Sequence, residues 1–261
     1  MANVPLVSEL VAQGKQPDIL FWVGCAGSFD ERYKKVTVAI CRILNHLNIN
    51  YAVLGTEESC TGDPARRAGN EFLFQMQAMS NIQILNGYQI KKIVTACPHC
   101  FNTIKNEYPA LGGNYEVLHH SELIQQLINE GKIKLSDTSE FKGKKITYHD
   151  SCYLGRANEV YDAPRSVLEV LDADLVEMKR SRKNGLCCGA GGAQMFKEPE
   201  KGNKDINIER IEEALGTQAN YVATACPFCM VMMSDGVKNK EKENEIKVLD
   251  IAEYIEKGMK L

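Results

Sequence analysis

The sequence predicts an α/β protein made of two repeated βα halves, each a parallel sheet flanked by helices with a thiol-rich site at the carboxyl ends of its strands. Three observations carry this expectation. The cysteines repeat their spacing: Cys25 to Cys60 and Cys152 to Cys187 are both 35 positions, and a CxxC follows after a further 37 or 39. The flanks of that motif match, KKIVTACPHC against NYVATACPFC. Short apolar or β-branched runs also alternate with stretches of helical periodicity, in the same order twice.

Each half can be read element by element. The segments ILFWVGC and KITYHDSC are apolar or β-branched runs ending on a cysteine, as buried strands do. Helical spacing follows over 30–48 (Val36, Ile40, Ile43, Leu44, Leu47) and 160–171 (Val160, Val167, Leu168, Leu171). Brief strands YAVLG and DLVEM come next, then the loops with the middle cysteines. Helical stretches at about 64–86 and 204–215 precede the strands IVTAC and YVATAC, which run into the CxxC. Each half closes on a strand and a helix, VLHH–SELIQQLINEG and KVLD–IAEYIEKG. The polar segment at 134–145 is the natural join. The repeats are therefore expected at 1–135, with a four-cysteine site, and at 142–261, with a five-cysteine site. The charged run KNKEKENEIK at 238–247 reads as a solvated surface.

The composition is that of a globular protein, with 44% hydrophobic and 25% charged residues in 261. Lys and Arg number 31 against 34 Asp and Glu, a net charge of −3 that gives no reason to expect nucleic-acid binding. Apolar runs such as 19–23 are far below the roughly 20 residues of a membrane span. The segment MANVPLVSELVAQGK has no basic start followed by an apolar stretch, so a cytoplasmic location is expected. Ten cysteines are abnormal in such a chain and point to metal or redox chemistry.

On this reading Cys25, Cys97, Cys152 and Cys226 leave the carboxyl ends of parallel strands, where ligand sites gather in βα folds. A CxxC that opens a helix has its thiol pKa lowered by the dipole and free N–H groups, which favours the metal-binding thiolate. Sites made of cysteine alone suit iron–sulfur clusters or zinc. The first set, Cys25, Cys60, Cys97 and Cys100, satisfies either zinc or a [4Fe–4S] cluster. The second, Cys152, Cys187, Cys188, Cys226 and Cys229, exceeds what tetrahedral zinc accepts. Thr61 stands where Cys188 stands, so the two sites should differ.

The pattern resembles the CCG (cysteine-rich) domain family, found in heterodisulfide reductase and in the iron–sulfur subunits of glycolate oxidase, anaerobic glycerol-3-phosphate dehydrogenase and lactate utilisation systems. The motif of a lone Cys, CCG and CxxC is complete as Cys152, Cys187-Cys188-Gly189 and Cys226-Pro227-Phe228-Cys229. It is nearly complete as Cys25, Cys60-Thr61-Gly62 and Cys97-Pro98-His99-Cys100. The resemblance implies non-cubane [4Fe–4S] chemistry at the second site, of the kind that cleaves a disulfide in heterodisulfide reductase. Thr61 puts an opened cluster in the first half in doubt. The chain lacks the ferredoxin-type CxxCxxCxxxCP segment of several relatives, so electrons should arrive from another oxidoreductase subunit, a ferredoxin-type iron–sulfur or flavin protein.

The expected role is thus that of an iron–sulfur subunit of a multi-subunit oxidoreductase, relaying electrons, with thiol or disulfide chemistry at iron as a further option. Two rivals stand beside it: a pure electron-transfer module between a flavin dehydrogenase and quinone, and a scaffold held by zinc. A thioredoxin-like use of CPHC fits poorly, because the other cysteines keep fixed distances. Cys41 lies on an apolar helix face and reads as a small buried hydrophobe. Gly189, Gly191 and Gly192 do not match a phosphate loop and are read as bringing backbone N–H groups to sulfur. His149 is a proton donor beside the second site or an ordinary strand-end histidine. His99 is a weaker candidate, since Phe228 takes its place in the other half. His119 and His120 end a strand. Arg156 holds an anion, offsets cluster charge or makes a surface salt bridge. Met230, Met232 and Met233 read as core filler.

Overall fold

A computed structural model describes residues 4–136, 140–198 and 201–261. Residues 137–139, within the expected join, lie outside them. The chain divides into two compact units, Met1–Leu123 with Leu261, and Ile124–Lys260.

Each unit carries one four-stranded, wholly parallel sheet. In the first, β1 (Ile19–Trp22), β2 (Tyr51–Ala52), β3 (Lys92–Thr95) and β4 (Glu116–His119) lie in the order β2-β1-β3-β4. In the second, β5 (Lys145–Tyr148), β6 (Asp174–Leu175), β7 (Tyr221–Thr224) and β8 (Lys247–Asp250) repeat it as β6-β5-β7-β8. The expected α/β repeat is what the structure shows.

Central strands covered by helices on both faces need apolar residues at every position, not at alternate ones. β1 meets this with Ile19, Leu20, Phe21 and Trp22, all buried. Helix Lys34–His46 turns Val36, Ala39, Ile40, Ile43 and Leu44 inward, and its Cys41 is buried with them, as expected of a small hydrophobe. Helix Ile206–Gly216 places Ile211 and Ala214 in a core with Val222, Met233 and Val237. Fully burying side chains of this size contributes roughly 1.5–3 kcal/mol each.

The strand order decides where a ligand can sit. From β1 the chain crosses to β2 on one side, then returns past β1 to β3 on the other. The loops leaving β1 and β3 therefore diverge and open a crevice at the sheet's carboxyl edge. β5 and β7 are the same pair in the second unit. The four strands at these switch points are the ones that lead to Cys25, Cys97, Cys152 and Cys226. No helix among the described residues is long and apolar enough to cross a membrane.

Candidate metal centres

In the first unit Val23 and Gly24 carry the chain off β1, and their N–H groups donate to the Glu58 carboxylate at 3.0 and 2.6 Å. Burial pushes that carboxyl up to about 7 against these two donors. Cys25 follows on the short helix Gly24–Phe29. Cys97 is the residue before helix Pro98–Asn102 and Cys100 lies buried in its first turn. Gly62 takes a left-handed φ of 90°, which turns its N–H onto Cys60 Sγ at 3.4 Å.

These four thiols form one group. Cys25 donates its S–H to Cys60, and this bond, helped by Gly62 N–H, draws the Cys60 pKa down to about 6. The same bond, then burial, pushes Cys25 up. Cys100 is raised by its hydrogen bond to Cys97 and by burial, and feels the charges of Cys25 and Cys60. Thr61 is buried, with its hydroxyl on Cys100 Sγ at 3.9 Å.

The second unit repeats this construction with one more sulfur. Gly189, at φ 97°, donates to Cys187 Sγ at 3.3 Å, matching Gly62 and Cys60. Cys152 and Cys188 both donate to Cys187, which is thereby held as thiolate far below the ordinary thiol range. Cys229 donates to Cys188 and to Cys226. Five sulfurs are thus joined by one chain of hydrogen bonds. Cys188, Cys226, Cys229, Ala190 and Phe228 pack as an apolar cluster bordered by Met195 and Met232.

All nine predicted ligands are brought together, four and five, and none is in a disulfide. Soft, closely spaced thiols with a backbone N–H on sulfur, lying in an apolar cluster in the second unit, fit an iron–sulfur cluster. Five exceed tetrahedral zinc; four do not.

The other candidates sort themselves by their contacts. His149 is fully buried and accepts a hydrogen bond at Nδ1 from Arg210 Nε at 2.9 Å. Burial, then the Arg210 charge, pushes its pKa down to about 3, so the ring is neutral. One of its ring nitrogens lies within 4.8 Å of the Cys188 and Cys229 sulfurs. His99 pairs with Asp63 at 2.9 Å; burial raises that carboxyl, but His99 and then Arg67 outweigh it and hold it low. His119 and His120 are buried at the end of β4 and hydrogen-bond each other at 3.2 Å. Arg156 is exposed and makes no ion pair among the described residues. Met230 and Met233 are core, whereas Met232 also lines an open cavity of about 650 Å³ beside Gly189.

Sequence reasoning missed Glu58, Asp63, Arg210 and the buried pair Asp150–Arg165 (2.8 and 2.9 Å). None has a motif. Alignment of the repeats on their cysteines was the one available signal, since it sets Arg210 against Asn81.

Fold and site together define a doubled α/β module that gathers thiols at the switch points of two parallel sheets. The chain belongs to the CCG cysteine-rich domain family, which matches residues 19–105 and 146–234. It is 45% identical over 255 residues to the probable iron-sulfur-binding oxidoreductase FadF of Bacillus subtilis, covering 97% of this chain and 36% of that protein. It is 45% identical over 260 residues to EtfAB:quinone oxidoreductase of Syntrophomonas wolfei, again 97% and 36%. With a component of the dihydromethanophenazine:CoB–CoM heterodisulfide reductase of Methanosarcina barkeri the identity is 35% over 251 residues, 94% and 59%. The chain thus spans about a third of the first two relatives' length.

Proposed function

We propose that this chain is the iron–sulfur portion of an oxidoreductase, with a [4Fe–4S] cluster of non-cubane type on Cys152, Cys187, Cys188, Cys226 and Cys229. Cys25, Cys60, Cys97 and Cys100 hold a second [4Fe–4S] cluster, or zinc in its place. The repeats are taken as 1–135 and 142–261, each with one site. The observation that carries the reading is the single hydrogen-bonded chain of five sulfurs around Cys187, one thiolate more than a zinc ion takes up. The relatives' names support redox work with iron–sulfur groups.

Such clusters supply one-electron storage. The residues of this chain fix the ligands and aim N–H groups at sulfur, with Cys97, Cys100, Cys188, Cys226 and Cys229 buried from solvent. Electrons come from a ferredoxin-type iron–sulfur or flavin protein in the cytoplasm and leave to an acceptor, either quinone or a disulfide. A disulfide takes two electrons and two protons to become two thiols; the cavity lined by Gly189, Met195 and Met232, which border the second group of cysteines, supports this option as a place for a sulfur substrate.

Anaerobic purification followed by iron, acid-labile sulfide and zinc analysis tests this. We expect about four iron and four sulfide for the second site, and either the same again or one zinc for the first. Zinc alone, with no visible charge-transfer absorption, overturns the redox reading in favour of a scaffold.

A further inference from the structure

We propose that Arg210 and His149 form a fixed hydrogen-bond donor to the second centre. The guanidinium holds the imidazole in the tautomer protonated on Nε2, and that N–H faces the sulfurs gathered by Cys188 and Cys229. The proposal deepens the functional reading and rests on it where the cluster is concerned.

The argument begins with hydrogen-bond bookkeeping. An arginine Nε always carries its hydrogen, so the 2.9 Å contact between Arg210 Nε and His149 Nδ1 makes Nδ1 the acceptor. A neutral imidazole with Nδ1 accepting has its proton on Nε2. Both residues are completely buried. Nε2 has no hydrogen-bond partner among the described residues. A ring nitrogen lies within 4.8 Å of Cys188 Sγ and Cys229 Sγ; with Nδ1 engaged by Arg210, Nε2 is assigned as the nitrogen that serves them.

Arg210 is itself held in place. Its Nη1 donates to the Arg180 carbonyl and to Glu213 Oε2, both at 2.8 Å. The backbone N–H of His149 donates to the Ala223 carbonyl at 2.9 Å, which ties the ring's root to β7. A buried donor without an acceptor is costly, and a protein that fixes one so firmly at a metal centre has given it a task. Sulfur bound to iron carries the negative charge that would accept it. Donors to sulfur and nearby positive charge favour the reduced, more negative state of a cluster and raise its potential.

The arginine–histidine pair belongs to one half, although Trp22, in the place of His149, also has a buried Nε1–H without a partner among the described residues. Three residues before the lone cysteine, His149 is replaced by Trp22; sixteen before the CxxC, Arg210 is replaced by Asn81. Asn81 instead binds the Cys60 carbonyl at 2.9 Å and the Tyr108 hydroxyl at 3.1 Å, bracing the loop without any charge.

Two measurements on the full chain test this. In metal-free protein labelled with ¹⁵N-histidine, nuclear magnetic resonance should show His149 as the neutral Nε2–H tautomer. Arg210→Met should let the ring sample both tautomers. In protein loaded anaerobically, a redox titration followed by electron paramagnetic resonance should show the second centre's potential fall in His149→Leu and in Arg210→Met. The fall should be smaller in His149→Gln, which retains an N–H, and the first centre should not move. An Nδ1–H tautomer in the parent overturns the proposal. So does an unmoved potential in His149→Leu at parental iron and sulfide, or a nitrogen coupling strong enough to mean direct ligation of iron. A second site that takes up no cluster would sink the functional reading instead, while the tautomer measurement still decides whether Arg210 fixes the ring.

Discussion

Gly62 and Gly189 hold the same place after the middle cysteine, and both are needed for the same reason. With φ of 90° and 97° they point an N–H back at the sulfur two residues earlier. An L side chain in this region costs roughly 1–2 kcal/mol. The surroundings then separate the two. A Cβ on Gly62 would stand 2.8 Å from the Phe74 ring and 3.2 Å from the Phe74 carbonyl, which cannot swing away. On Gly189 it would meet Ile206 at 3.3 Å and the flexible end of Met232 at 3.4 Å. Gly62→Ala should therefore destabilise the metal-free protein by more than Gly189→Ala, about 3 kcal/mol against about 2, as urea unfolding reads it. Equal losses would mean that backbone strain alone sets the cost. Both variants should bind less iron at their own site.

At the scale of elements, the loop that delivers Cys152 is anchored by charge. Asp150 accepts both Arg165 Nη groups, at 2.8 and 2.9 Å, and the Arg182 backbone N–H at 2.7 Å. Arg165 sits on helix Asp162–Glu169 and also binds Glu177 at 2.6 Å. The Asp150 and Arg165 side chains are each only 4% exposed, so solvent cannot replace a lost partner. Arg165→Met should cost about 3–5 kcal/mol by stranding the carboxylate, and Asp150→Asn in the same chain should recover part of it. If the single variant unfolds at the parental midpoint, the pair contributes nothing to the anchor. This pairing was invisible beforehand, because 15 residues separate the partners and neither belongs to a motif. The central strands were legible for the opposite reason: buried parallel strands need unbroken apolar or β-branched runs, and ILFW and YVAT read that way. The edge strands β4 and β8 were legible too, in VLHH and KVLD. The opposite edges were read longer than they are: YAVLG and DLVEM contribute only Tyr51–Ala52 and Asp174–Leu175. The helical stretch at 64–86 is two helices, Asp63–Arg67 and Glu71–Gly87. Gly69 at φ 87° ends the first, and the Asn70 side chain accepts from Leu73 N–H to start the second. The sequence does mark the break, since Arg66 to Glu71 holds one apolar side chain and the pair Gly69-Asn70 is a stop followed by a cap, but a reading by apolar spacing alone passed over it.

Across the whole molecule, duplication supplied two sites on one plan and a single residue separates their ligand sets. Thr61 is 2% exposed and its hydroxyl touches Cys100, the last cysteine of its CxxC; Cys188 is 3% exposed and accepts from Cys229, the last cysteine of its own. The two side chains therefore occupy corresponding places in space as well as in sequence. The sequence displayed this asymmetry openly, whereas the Asp63–His99–Arg67 cluster beside the first site and the Arg210–His149 pair beside the second emerged only on folding. A centre with one fewer thiolate carries less negative charge, so the first should have the higher potential where other influences are equal. Thr61→Cys replaces a hydroxyl by a thiol of similar size already aimed at the neighbouring sulfur, and the backbone has no need to move. With the first site loaded with iron, this variant should acquire a paramagnetic signal like the second centre's and a lower first-site potential. The check is a redox titration of parent and variant, followed by electron paramagnetic resonance, with alkylation to count free thiols. An unchanged first-site signal with the new cysteine freely alkylated would show that the halves differ through their surroundings rather than their ligands. The charged clusters beside each site would then be the groups that set the two potentials apart.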